Sequence, residues 1–156
     1  MPNPSTGPVV SRPARWASAT ACVIIVLMAA LHMAGHLRTR EPRTPEEASL
    51  RDLMGTVEFT FLGGRFTMND ARATLNWFYF GFAVLSAAMV VLAAPALVRM
   101  PPIFARVHLA LALALVGTGG ASMMHGFTMP GPAFLLAALL SAGAAVLAIP
   151  RQSPMP

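Results

Sequence analysis

The stretch Leu31-His32-Met33-Ala34-Gly35-His36 closes an apolar run, WASATACVIIVLMAALHMAGHL at residues 16–37, that holds no charged side chain between Arg15 and Arg38. A helix needs about 20 mostly apolar residues to cross the hydrocarbon of a bilayer. The run therefore predicts a membrane span with two imidazoles at its exit. Histidines four apart in a helix are separated by about 6 Å of rise and about 40° of rotation, so both rings can address one small object.

The rest of the chain has the same character. Of its 156 residues, 56% are hydrophobic and 11% charged, against roughly a quarter charged in soluble domains. So little polar surface cannot cover a fold in water, and the lipid bilayer is expected as solvent and first partner. Three more apolar runs predict spans at 74–95, 103–124 and 133–149, and the prolines fall between runs or, as with Pro95, at a run's end. Breakers and apolar runs thus agree on four helices. The expected fold is all-α: a polytopic membrane protein with a four-helix transmembrane bundle over residues 16–149, a disordered tail over 1–15 and a short tail over 150–156. A cleaved signal peptide is the rival reading of the start. The run is longer than a usual signal core, and no small-x-small site follows it.

The connection between the first two spans has structure of its own. Thr44-Pro45-Glu46-Glu47 combines a capping hydroxyl, a proline at the first helical position and a glutamate three residues after the cap, which together start a helix. Leu50, Leu53, Met54 and Val57 recur at helical spacing, predicting a short amphipathic helix on the membrane surface or over the bundle. Alternation in Val57, Phe59 and Phe61, then Gly63-Gly64 and Arg65-Phe66-Thr67-Met68, reads as a small hairpin. Asn69-Asp70 is expected to cap the second span. Helix packing in lipid relies on small residues, and Gly117 with Ala121, Ser141 with Ala145 and Ala83 with Ala87 are the expected seams.

The net charge is +5 and every basic residue is Arg, which with heavy Ala use reads as a GC-rich bacterial coding sequence and points to the bacterial inner membrane. The charges flank apolar runs, so they set topology, and no nucleic-acid motif is present. Arg99 and Arg106 in the short second connection, against no Arg in residues 126–132, favour cytoplasmic termini. Cys22 lies mid-span and reads as a small buried apolar residue.

Four antiparallel spans place His32, His36, Asn76, Tyr79 and His125 at one level, beneath the loop carrying Glu58 and Asp70. Imidazoles at this spacing suit zinc, copper, nickel and haem iron. His32, His36 and His125 are the candidate metal ligands; Glu58, Asp70, Asn76 and Tyr79 are candidate pocket residues, and a transition metal or haem is the candidate cofactor. No glutamate follows His32, so the zincin pattern is absent. The plainer reading has His32 and His36 satisfied by water, Asn76 or backbone carbonyls near a headgroup boundary. Met28, Met33, Met123, Met124 and Met129 gather toward the same level; thioether with imidazole suits Cu(I), though flexible Met also fills gaps in an Ala-rich bundle. Asp70 fits a helix cap and Glu58 a solvated charge better than an acid–base pair. His108 is expected alone at the opposite end.

An apolar first helix ending near His32, a loop with a short helix, and the aromatic entry Trp77-Phe78-Tyr79-Phe80-Gly81-Phe82 resemble the DoxX-like family of small four-helix bacterial membrane proteins. The resemblance spans most of residues 16–149. It implies the fold and brings no established activity. The functional expectation is an accessory or small-ligand-binding membrane protein, acting as a homo-oligomer or with a membrane partner. The alternatives are a metal- or haem-binding redox protein and an enzyme acting on a lipid or quinone, for which the same histidines are the acid–base candidates.

Overall fold

The structure is a computed structural model and describes residues 9–38, 41–61, 63–124 and 130–149. In chain order it contains α1 (Arg12–Leu37), α2 (Pro45–Thr56), β1 (Glu58–Phe61), β2 (Gly64–Thr67), α3 (Met68–Leu97), α4 (Pro101–Met124) and α5 (Pro130–Ala148). Apart from one hairpin the described elements are helices, and α1, α3, α4 and α5 are each long and apolar enough to cross a membrane.

All four long helices begin before the apolar run that announces them. Prolines are tolerated in a first turn, where the missing N–H has no intrahelical acceptor in any case. Pro13, Pro101, Pro102, Pro130 and Pro132 all sit in such turns. In α1 the Ser11 hydroxyl accepts from the Ala14 N–H at 3.4 Å. Arg12–Arg15 are therefore helical rather than part of a loose tail; residues 1–8 and 150–156 lie outside the described residues. Pro95 is inside α3, two residues before its end.

The described residues fall into two compact units, one formed by Ala29–Ala83 and the other by the chain before and after it. In the second of these, Val10 just before α1, Ala14 of α1, Leu97 of α3, Phe104 of α4 and Ala144 and Ala148 of α5 form one buried cluster. The Val10 N–H donates to the Val98 carbonyl at 2.9 Å, and the Ser11 hydroxyl to the Leu147 carbonyl at 3.0 Å. Within this unit the start of α1, the end of α3, the start of α4 and the end of α5 thus meet at one level, as alternating helix directions require. Cys22 is buried beside Ala87 and Val90, with Val107 and Leu111 against them.

Helices α4 and α5 approach each other closely at Gly119 and Gly131. A Cβ on Gly119 would stand 3.1 Å from both the Gly131 carbonyl oxygen and Leu135 Cγ, and one on Gly131 would press on Met123 Cγ. The expected seam at Gly117 and Ala121 is not used: a Cβ on Gly117 would meet nothing within 4 Å, and Ala121 is exposed. The helix is apolar all round, so spacing of small residues alone did not single out the inward face. Ser141, Ala145 and Ala87, by contrast, are buried. The outward faces carry large apolar side chains, with Leu92 81%, Met124 88% and Leu139 71% exposed. Such faces suit lipid as the surrounding medium.

The Ala29–Ala83 unit contains the end of α1, α2, the hairpin and the first turns of α3. Thr44 caps α2, its hydroxyl accepting from the Glu47 N–H at 3.2 Å, while the Glu47 carboxylate accepts from the Arg43 N–H at 2.7 Å. The strands pair antiparallel with Glu58 opposite Thr67 and Phe61 opposite Gly64, and Gly63 turns the chain at φ +79°. Such a φ is readily adopted by glycine. Thr67 and Asp70 then form a reciprocal capping box at the start of α3: Asp70 Oδ2 accepts from the Thr67 N–H at 2.9 Å and its hydroxyl at 2.7 Å, and Thr67 Oγ1 accepts from the Asp70 N–H at 3.2 Å.

Candidate functional site

His32 and His36 stand on the last two turns of α1, one above the other, because residues four apart share a helix face. Asn76 of α3 lies between them within the Ala29–Ala83 unit. A carboxamide has one acceptor end and one donor end, so an amide between two imidazoles needs an N–H from one and a lone pair from the other. With Asn76 as oriented, His32 Nε2 donates to Asn76 Oδ1 at 2.8 Å, and Asn76 Nδ2 donates to His36 Nδ1 at 2.8 Å. Turning the amide over exchanges the roles. In either orientation one imidazole nitrogen facing Asn76 carries a proton and the other does not.

The Tyr79 ring meets His32 edge-on, with centroids 5.0 Å apart and an interplanar angle of 61°. Tyr79 is three residues beyond Asn76, so both reach α1 from one face of α3. The structure thus brings together His32, His36, Asn76 and Tyr79, four of the residues the sequence places at one level.

The other candidates are engaged differently. Glu58 pairs with Arg65 across the hairpin at 2.7 Å, with side chains 50% and 78% exposed, and Asp70 serves the α3 cap. His125 and Met129 lie outside the described residues. Among the described residues no group of three or more His, Cys, Asp or Glu is arranged to hold a metal ion. Two imidazole nitrogens nevertheless converge on one small group, the Asn76 carboxamide.

A cleft of about 540 Å³ adjoins the cluster inside the same unit, with His36 on its wall. Its charged lining is Arg38 at the end of α1, Arg51 and Glu47 on α2, and Arg72 in the first turns of α3. In the sequence alone these arginines mark only topology. Their meeting depends on where α2 lies relative to the end of α1 and the start of α3, and Gly55 comes close to α3: a Cβ there would stand 3.3 Å from Asn69 Nδ2.

His108 is the other residue the sequence underrated. It is fully buried in α4, its ring 4.3 Å from that of Phe104, and neither ring nitrogen finds a hydrogen-bond partner among the described residues. The buried Ser141 hydroxyl of α5 is likewise without one.

Comparison with known proteins finds no matching family model, no similar curated protein and no similar solved structure.

Proposed function

We propose that this chain is a multi-pass protein of the bacterial inner membrane, a four-helix transmembrane bundle with α2 in its first connection and cytoplasmic termini, that binds a small ligand at the His32–Asn76–His36 cluster. The observation that carries this reading is the single carboxamide joining two imidazoles one turn apart. It is a compact set of donors and acceptors beside an apolar ring, the mixture typical of small-molecule sites. The DoxX-like resemblance belongs to the same reading, as does an accessory role toward a second copy or a membrane partner.

The test is the set of small molecules retained by protein purified in mild detergent, identified by mass spectrometry of its organic extract. A compound enriched with the wild-type chain and lost from His32→Ala/His36→Ala supports the reading. Identical extracts from both proteins overturn it.

A second reading, a metal- or haem-binding redox protein using His32, His36 and His125, is favoured by the convergence of two imidazole nitrogens on the Asn76 carboxamide. Displacing that group would open a position between them for a soft or borderline metal. Bound copper, zinc or haem in metal analysis and the visible spectrum, removed by the double histidine variant, would support it. A colourless, metal-free protein whose melting is unmoved by added copper, zinc or haem would count against it.

A further inference from the structure

We propose that the cleft beside His36 is a binding site for a phosphate group carried on an amphiphile, held by Arg38, Arg51 and Arg72. This deepens the ligand-binding reading above and rests on it only for the choice of this end of the molecule.

Three arginines line the cleft against one glutamate, Glu47, and Arg51 is itself engaged with a neighbouring group. Glu47 is itself tied to the backbone at the start of α2 through the Arg43 N–H. Arg38 and Arg72 meet no carboxylate among the described residues. Guanidinium presents its donors in a planar fork that matches phosphate oxygens two at a time, and it holds its charge at any physiological pH. Like charges gathered on one cleft repel, and an anion seated among them relieves that repulsion. The three come from the residue after α1, from α2 and from α3, so the site exists only in the folded unit.

The volume, about 540 Å³, is that of a small-molecule pocket, which runs roughly 300–1,000 Å³, and far exceeds the needs of a bare phosphate ion. The remaining wall is apolar: Leu37, Leu50 and Met54 line it, and Leu37 and Leu50 are more than half exposed. An apolar chain on the ligand would cover them. The cleft also lies where the apolar run of α1 gives way to charge at Arg38, the depth at which lipid headgroups meet a span.

The probes are dioleoylphosphatidic acid, dioleoylphosphatidylcholine and inorganic phosphate, each added to the full chain in mild detergent and read by native mass spectrometry. Phosphatidic acid should be retained, phosphatidylcholine retained less, and Arg51→Gln/Arg72→Gln should weaken phosphatidic acid binding at least tenfold. Circular dichroism and size exclusion report whether that variant folds; Arg51→Lys/Arg72→Lys keeps the charge, loses the fork, and should give an intermediate loss. Inorganic phosphate that displaces phosphatidic acid at equal concentration would assign the cleft to the free anion and overturn the amphiphile. Equal retention of both lipids, or undiminished phosphatidic acid binding in a folded arginine variant, overturns the site. Binding kept by His32→Ala/His36→Ala but lost from the arginine variant upholds this inference while removing the histidines from ligand contact; the converse pattern does the reverse.

Discussion

At the scale of single residues, the cluster at the end of α1 stands on Asn76. An amide that satisfies two imidazoles at once leaves both short of a partner when it is removed, and each stranded polar group costs about 1–3 kcal/mol. Asn76→Leu, which keeps the bulk and loses both hydrogen bonds, should lower stability by about 2 kcal/mol in detergent melting. Once His32 and His36 are both replaced by Leu, the same change should cost little, because the bonds are already gone; an equal cost in both backgrounds would deny the bridge. His108 predicts the opposite sign. Its imidazole is buried with no partner among the described residues, and replacing an unpartnered polar group by an apolar one of similar size is neutral to stabilising. His108→Leu should leave the melting temperature unchanged or raise it, and a large drop would show that the imidazole is bonded. His32, His36 and Asn76 were legible in the sequence because span ends and helical spacing fix their depth. His108 was not, since α4 is apolar on every side and no pattern marks which face turns inward.

At the scale of elements, the helices run past the prolines that punctuate the sequence. Prolines placed between spans lie in first turns, so α1, α4 and α5 each start at or before one. The caps were legible because their chemistry is local. Thr44, predicted as a cap, is one; at α3 the expected Asn69-Asp70 cap holds for Asp70 alone, which shares it with Thr67 of the hairpin. Thr67→Ala should cost about 1 kcal/mol, seen as faster hydrogen exchange in the first turn of α3; unchanged exchange would mean the box contributes nothing. At α2, the Glu46 carboxyl is held below its ordinary value by its own backbone N–H and then by the Thr44 hydroxyl. A depressed carboxyl stabilises the folded form above its unfolded value and loses that effect as pH falls through the folded one. The start of α2 should therefore loosen in acid. The α4–α5 seam gives the sharpest contrast: Gly119→Ala pushes a Cβ toward the Gly131 carbonyl and should cost about 1–3 kcal/mol, whereas Gly117→Ala, with open space around it, should be neutral or slightly stabilising. Equal effects on melting would refute the seam. This pair was not legible, because the small residues of α4 occur on more than one face.

At the scale of the whole molecule, the bilayer explains what composition alone made plain. Faces carrying side chains as exposed as Leu92 and Leu139 suit lipid, and the cluster of Val10, Leu97, Phe104 and Ala148 places the start of α1 with the end of α3, the start of α4 and the end of α5. Within that unit the four helices alternate in direction, and each is long and apolar enough to cross a membrane. The arginine cleft could not be foreseen, because it depends on the tertiary position of α2, which no local pattern encodes. The measurement that tests the account most directly is labelling of single cysteines, introduced at Thr60, Met100 and Thr128 in a Cys22→Ala chain, by a maleimide that cannot cross the membrane. In intact cells Thr60 and Thr128 should label and Met100 should label only after the membrane is opened. Thr60 and Met100 labelling from the same side would contradict four crossings and remove the shared end on which the binding proposals depend.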